Sequence, residues 1–249
     1  MIMVLQKAIA ESGLCSRREA EKIIKMGSIK VNGKLASLGD KADPEQDKIT
    51  FRGKLLPQKA EKVYLKLNKP MGYTCTTRDF PGEQNIFQLI SLKDRLFSIG
   101  RLDKDSRGII LLTNDGELAQ QLSHPRLKQE KTYTTRIFPQ RGENLLPGMG
   151  RKVAYDLVKG MDIGEGDGIA RAKRAEYLQE GIFVITLSEG KKRQIRRMFS
   201  ALGFRVADLQ RTNFAGIGLG GIKEGEWRKL SIQEIEKIKH EVYGKKQIN

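Results

Sequence analysis

Two cysteines, two histidines and one tryptophan are all that this 249-residue chain has of those residues. Cys15 and Cys75 are too few for a disulfide framework and fit a reducing compartment. With His124 and His240 they make no metal-ligating spacing, so no metal is expected. No apolar run approaches the roughly 20 residues that span a bilayer, which excludes an integral membrane protein. Met1–Lys7 lacks both a long apolar stretch and a small-residue cleavage site, so no signal peptide is read and a cytoplasmic location is expected. Acidic residues are also short: 30 against 46 lysines and arginines, a net charge of +16. A surplus of that size favours a polyanionic partner, nucleic acid first. It is spread along the whole chain rather than held in a tail, which suits an extended face on which RNA could lie. The hydrophobic share, 39%, suffices for a core. The length suits one large domain, or a small one joined to a medium one, and a monomer is the default.

The first 60 residues have the pattern of a small basic module. Val4, Leu5, Ala8 and Ile9 give residues 3–12 a helical apolar face that Gly13 ends. Ser16-Arg17-Arg18-Glu19 is a capping box, in which the Ser hydroxyl takes one free backbone N–H and the Glu reaches back for another. The helix it opens should run to about Met26 and stop at Gly27. Ala20, Ile23 and Ile24 form its apolar side, and Arg18, Lys22 and Lys25 fall on another face with Arg17 beside them. Ile29-Lys30-Val31 before Asn32-Gly33 signals a hairpin. Gly53 to Lys62, polar and containing Pro57, is the best linker.

Beyond it the strand signals multiply. Val63–Leu67 alternates with period two, and Asn68-Lys69-Pro70-Met71-Gly72 breaks it. Phe97–Ile99 and Ile109–Leu112 flank Gly100-Arg101-Leu102-Asp103-Lys104-Asp105-Ser106-Arg107-Gly108. This polar loop, held between two strands, presents one carboxylate, Asp103, between the cations Arg101 and Lys104. Such neighbours favour the charged carboxylate, which suits a nucleophile or charge stabiliser rather than an acid. Asp115-Gly116 turns the chain into a short helix, Glu117–Leu122. Lys131–Ile137 is rich in β-formers. Gly160–Gly168 reads as a loop, and Ile182–Leu187 as a strand buried on both faces. Then Lys191, Lys192, Arg193, Arg196 and Arg197 crowd one helix start opposite an apolar stripe of Ile195, Met198, Phe199 and Leu202, so a phosphate or carboxylate is expected among them. Ser231–Glu234 is a second capping box opening a final amphipathic helix. Gly216-Ile217-Gly218-Leu219-Gly220-Gly221 fits G-x-G-x-x-G, but a loop follows it instead of the helix that a dinucleotide site needs.

These segments carry two resemblances. Leu14–Glu21, with the two short helices and the hairpin, resembles the S4 RNA-binding domain (αL-type), although Val4 stands where relatives often have a basic residue. The Asp103 loop resembles the GRLDxDSxG loop of the ribosomal RNA pseudouridine synthases of the RsuA type. Val63–Gly72 is similar to that family's opening segment, Lys131-Thr132-Tyr133 to its KxY motif, and Gln194-Ile195-Arg196 to its QIR motif. The resemblance implies an α+β chain: an S4 domain over residues 1–60, then a catalytic domain over 61–249 with a mixed, largely antiparallel central sheet flanked by helices. It implies that Asp103 is the catalytic carboxylate, that Arg196 pairs with it, and that Tyr133 packs on the target uracil and assists proton transfer. Arg17, Arg18, Lys22, Lys25, Arg101, Lys131, Lys191, Lys192, Arg193 and Arg197 become candidate RNA contacts. The implied reaction converts a uridine of ribosomal RNA, the large subunit favoured, to pseudouridine. It is redox-neutral, so no cofactor is expected. The expected partner is ribosomal RNA or a ribosomal subunit precursor. The competing reading is a ribosome assembly factor that binds RNA through an S4 domain without catalysis. Asp103, Tyr133 and Arg196 together argue against it, because a binding module has no use for that trio.

Overall fold

The computed structural model describes residues 1–57, 60–78, 80–140 and 148–244. The chain divides into two compact units. One is Met1–Val63 with Lys93–Arg95 and Asn114–Gly116; the other takes Tyr64–Leu92, Leu96–Thr113 and the described residues from Glu117 onward.

In the first unit, β1 (Met3–Val4) pairs with β4 (Lys41–Ala42), so helix α1 starts only at Leu5 and runs Leu5–Glu11. The residues expected to begin that helix are instead extended. Helix α2 (Arg17–Lys25) has the Ser16–Glu19 capping box, with the Glu19 amide donating to Ser16 Oγ at 3.1 Å. Strands β2 (Ile29–Val31) and β3 (Lys34–Leu35) form the hairpin, turned by Asn32 at φ 50° and Gly33 at φ 81°. Next to β2 lie β5 (Ile49–Phe51) and β6 (Lys54–Leu55). Lys54–Leu55 thus belongs to a sheet although it falls in the expected linker, of which residues 58 and 59 lie outside the described residues. Leu5, Ile9, Ala20, Ile24, Ile29 and Ile49 close a small core.

The second unit is built on one nine-stranded sheet. Its members are β7 (Tyr64–Lys69), β8 (Phe97–Ile99), β9 (Arg107–Thr113), β10 (Lys131–Pro139), β13 (Arg174–Gln179), β14 (Ile182–Leu187), β15 (Phe204–Phe214), β16 (Ile217–Gly218) and β17 (Trp227–Lys229). The main path runs β13-β14-β10-β15-β9-β7-β17, with β8 on β9 and β16 on β15. Every pairing is antiparallel except β15 with β9. That is the mixed, largely antiparallel sheet of an α+β chain. A separate hairpin, β11 (Met161–Asp162) with β12 (Ile169–Ala170), frames the glycine- and acid-rich loop.

Helices α3 (Gly116–Ser123), α4 (Met149–Lys159), α5 (Gln194–Ala201) and α6 (Ile232–Tyr243) cover the sheet. Ile195, Met198 and Phe199 of α5 and Val153 and Leu157 of α4 pack with Tyr133, Ile137, Phe183 and Leu102. Leu118 and Leu122 of α3 and Ile238 and Val242 of α6 pack with Ile109, Leu111 and Phe214. The glycine-rich segment forms the tight β15–β16 turn, with Ala215 at φ 51° and Gly216 at φ 78°, and Ile217 is buried. No described helix is long and apolar enough to cross a membrane.

Candidate active site

The Asp103 loop leaves β8 at Gly100 and rejoins the sheet at β9. Leu102 is its apolar foot: 8% exposed, it lies in the core cluster that includes Tyr133, Ile195 and Phe199. The Cys75 thiol stands 3.3 Å from the Leu102 carbonyl and accepts from the Leu102 amide at 3.4 Å. Ser106 N–H closes a turn onto the Asp103 carbonyl at 3.1 Å, and Gly72 N–H donates to the Lys104 carbonyl at 2.8 Å. The point where the loop rejoins the sheet demands glycine. Gly108 has φ 110°, and a Cβ there would lie 2.2 Å from the Arg211 carbonyl oxygen and 2.6 Å from its nitrogen. The parallel pairing of Gly108 with Arg211 needs that missing side chain. Arg107 Nε and Nη2 then grip the Asp208 carboxylate at 2.9 and 2.7 Å, tying β9 to β15 a second time.

On this frame Asp103 is exposed, and its carboxylate makes no hydrogen bond or ion pair among the described residues. Here the geometry departs from expectation. Arg196 does not pair with Asp103; it turns to Asp105. Its Nε lies 3.3 Å from Asp105 Oδ2, and Nη2 donates to the Asp105 carbonyl at 2.6 Å. The Nε contact is an ion pair without hydrogen-bond alignment. The far side of the guanidinium donates from Nη1 to the Val206 carbonyl at 3.0 Å. Arg193, in left-handed backbone at the start of α5, grips the same carboxylate with Nη1 at 3.0 Å and Nη2 at 2.7 Å. Partial burial alone would raise the Asp105 carboxyl; the two arginines outweigh it and hold it below the usual carboxylate range. Two residues from Asp103, the arginines are thus already answered by an internal carboxylate.

Tyr133 sits in β10 at 8% exposure, opposite Ile185 of β14 and Arg211 of β15. Lys131, two residues earlier and on the same face, donates to the carbonyls of Gln129 at 3.1 Å and Glu189 at 3.5 Å. Burial, and then the charge of Arg211, pull its ammonium below the ordinary lysine value. Two further cations lie beneath the loop. Lys69 is 0% and Arg211 1% exposed. Composition and motif reading missed both, along with Asp105 as the arginines' partner. Arg211 lies in a run of mixed character, with Arg205, Asp208 and Gln210 nearby, so nothing local sets it apart.

The remaining candidates separate into committed and free groups. Lys191 Nζ donates to the carbonyls of Asp167 at 2.6 Å and Ile169 at 2.8 Å. Arg197 pairs with Asp167 and donates from Nε to the Ile163 carbonyl at 2.9 Å. These two residues, expected on RNA, hold the 163–169 loop, where Asp167 and Glu165 supply counter-charge to Arg197. Arg101 and Lys192 are exposed and make no side-chain pair among the described residues. In the first unit Arg17, Arg18, Lys22 and Lys25 are without a paired acid among the described residues; Arg17, Arg18, Lys22 and Lys25 lie along the solvent side of α2.

Known proteins match both units. Residues 4–48 match the S4 domain, and residues 63–201 match the family described as RNA pseudouridylate synthase. The chain is 39% identical over 236 residues to the dual-specificity RNA pseudouridine synthase RluF of Escherichia coli, covering 93% of this chain and 76% of that one. It is 38% identical over 241 residues to the ribosomal large subunit pseudouridine synthase B of Bacillus subtilis, covering 94% and 95%. The crystal structure of a pseudouridylate synthase superimposes with TM-score 0.66 at 31% identity, covering 95% of this chain and 99% of that one. With an S4 module at its front and the Asp103 loop, KxY and QIR segments gathered in the second unit, this chain belongs to the RNA pseudouridylate synthase family.

Proposed function

We propose that the chain isomerises a specific uridine of ribosomal RNA, the large subunit favoured, to pseudouridine, with Asp103 as the catalytic carboxylate. One observation carries this assignment. Asp103 is the exposed carboxylate of the loop, without a hydrogen bond or ion pair among the described residues, whereas its neighbour Asp105 takes both arginines. A carboxylate with no hydrogen bond or ion pair to the protein is available to a substrate atom.

In the reaction the N1–C1′ bond breaks, the uracil turns while held, and C5 bonds to C1′. C5 then loses its proton and N1 carries one, so atoms and electrons balance within the nucleotide. Asp103 serves the bond exchange at the ribose or uracil. Tyr133 offers an aromatic face to the extruded base and assists proton loss from C5. Arg196 acts on Asp103 through Asp105 and the loop backbone, fixing where the loop lies. Lys131, beside Tyr133, and the free cations Arg101 and Lys192 serve the RNA backbone. The S4 helix face of Arg17, Arg18, Lys22 and Lys25 adds a second set of phosphate contacts. Their favourable charge offsets the few kcal/mol, roughly, that extruding a base costs.

Because C5 loses its proton, ribosomal RNA carrying tritium at uridine C5 reports turnover directly. Native protein should release tritium from one site. Asp103→Asn should release none while binding the RNA with affinity within about twofold of native, since an exposed carboxylate on a basic protein adds little to affinity. Tritium release by Asp103→Asn at the native rate would remove Asp103 from the mechanism. Binding without release by the native protein would favour the assembly-factor reading.

A further inference from the structure

We infer that Arg211 is a positioning residue for this reaction: from below, its buried guanidinium holds both stems of the loop that carries Asp103. The inference rests on the functional reading above. Arg211 Nε donates to the Ile109 carbonyl at 2.8 Å, where the loop has just joined β9. Nη1 reaches the Arg101 carbonyl at 3.4 Å, where the loop has just left β8. The guanidinium carbon stands 4.9 Å from the centre of the Phe214 ring, which supports the cation from its own strand. No carboxylate lies within ion-pair distance of Arg211 among the described residues, and its Nη2 is buried without a hydrogen-bond partner.

Lys69 repeats the arrangement. Fully buried, it donates to the Ser106 carbonyl at 2.6 Å and the Pro70 carbonyl at 2.9 Å. Burying a cation with no counter-charge is strongly unfavourable, and an apolar side chain of similar volume fills such a space more cheaply. What these cations do that an apolar residue cannot is fix backbone carbonyls at Arg101, Ser106 and Ile109. Those three carbonyls bracket Asp103 on both sides. With the peptide planes fixed, the direction in which the Asp103 side chain leaves the loop is fixed as well. Arg211 also stands opposite Tyr133 in the β10–β15 register, so one residue joins the strand of the tyrosine to the loop of the aspartate. The planar fork matters here, since two carbonyls that far apart along the chain are reached by two different nitrogens of one rigid group.

The test is single-turnover tritium release, with RNA affinity measured alongside, on native protein, Arg211→Lys, Arg211→Met and Phe214→Leu. Each variant is first checked for its fold by circular dichroism and melting. A displaced Asp103 should slow turnover by about 100-fold in Arg211→Met with RNA affinity nearly unchanged. Arg211→Lys should fall between Met and native, because it restores the charge without the fork. Phe214→Leu, which keeps Arg211 and removes only the ring beneath it, should be slowed several-fold. Folded Arg211→Met turning over within about threefold of native would overturn the inference, as would a loss confined to RNA affinity. Should neither Arg211 variant fold, Phe214→Leu decides, and native turnover there overturns it. Inactive native protein would sink the functional reading and this inference with it; active native protein beside an unaffected variant sinks the inference alone.

Discussion

At the scale of single residues, what separates the two aspartates of the loop is company. Asp103 and Asp105 are two positions apart in one polar stretch, yet only Asp105 meets Arg193 and Arg196. Asp105→Asn therefore should leave Asp103 chemically intact and still slow turnover, by about tenfold or more, by loosening Arg196 from the loop. Steady-state rates on ribosomal RNA check this, and a native rate would show that the arginines do not set the loop's position. The charged form of Asp105 is the one stabilised, so its ties persist above the ordinary carboxylate range and weaken only as pH falls below it. The acid side of the native rate profile near neutrality therefore should not change in Asp105→Asn. Gly108 poses a steric question instead. Gly108→Ala places a methyl against the Arg211 backbone at a φ that L residues avoid, and should cost about 3 kcal/mol or more in urea unfolding. A cost below about 1 kcal/mol would mean that β9 and β15 approach each other less closely at this point.

At the scale of elements, the sequence was read best where local chemistry decides. The Ser16 and Ser231 capping boxes, the Asn32-Gly33 hairpin and the Lys131–Ile137 strand, rich in β-formers, each depend on neighbours within a few residues, and each is present. What stayed hidden depends on distant partners. Met3–Val4 is extended because Lys41–Ala42 pairs with it, against its helical pattern. β15, the longest strand, slips register against β10 twice, between Thr132 and Tyr133 and between Arg136 and Ile137. Those slips break the two-residue alternation that would have marked Arg211 as inward-facing. The pairing of Arg196 with Asp105 needed the loop's actual turn, which a motif does not specify. The end of the sheet gives a further prediction. Glu234 of α6 meets Lys66 Nζ of β7 at 3.0 Å and Arg228 at 2.7 and 2.9 Å. Burial would raise its carboxyl, but Arg228, the Ser231 amide and Lys66 bring it from 4.5 down to about 2. The charged form is favoured in the fold, so its contribution is complete above about pH 4.5 and is lost as pH falls toward 2. Glu234→Gln should cost about 2 kcal/mol at neutral pH, and the difference from native should shrink in acid over that window. Urea midpoints measured at several pH values check it; a difference independent of pH would assign the loss to packing.

At the scale of the whole molecule, charge is the dominant property. The net charge of +16 is only partly consumed internally: Lys66, Arg107, Arg193, Arg196 and Arg197 have acids, whereas Arg17, Arg18, Lys22, Lys25, Arg101 and Lys192 have none among the described residues. Affinity for RNA should therefore fall steeply with salt. Replacing Arg17, Arg18, Lys22 and Lys25 by Gln should flatten the plot of log affinity against log salt by about 0.7 to 0.9 for each phosphate no longer neutralised. The turnover rate of bound RNA should be far less affected, because none of the four lies in the catalytic unit. Fluorescence titrations from low to high salt separate the two effects, and an unchanged slope would remove that helix from the RNA interface.

The central claim, that this chain makes pseudouridine in ribosomal RNA through Asp103, is tested most directly by mapping pseudouridines. The map is taken on ribosomal RNA from cells lacking the protein, and from the same cells supplied with native protein or with Asp103→Asn. The account predicts that one site, in the large-subunit RNA, disappears without the protein, returns with the native chain and stays absent with Asp103→Asn. A map identical in all three, or a site restored by Asp103→Asn, would contradict it.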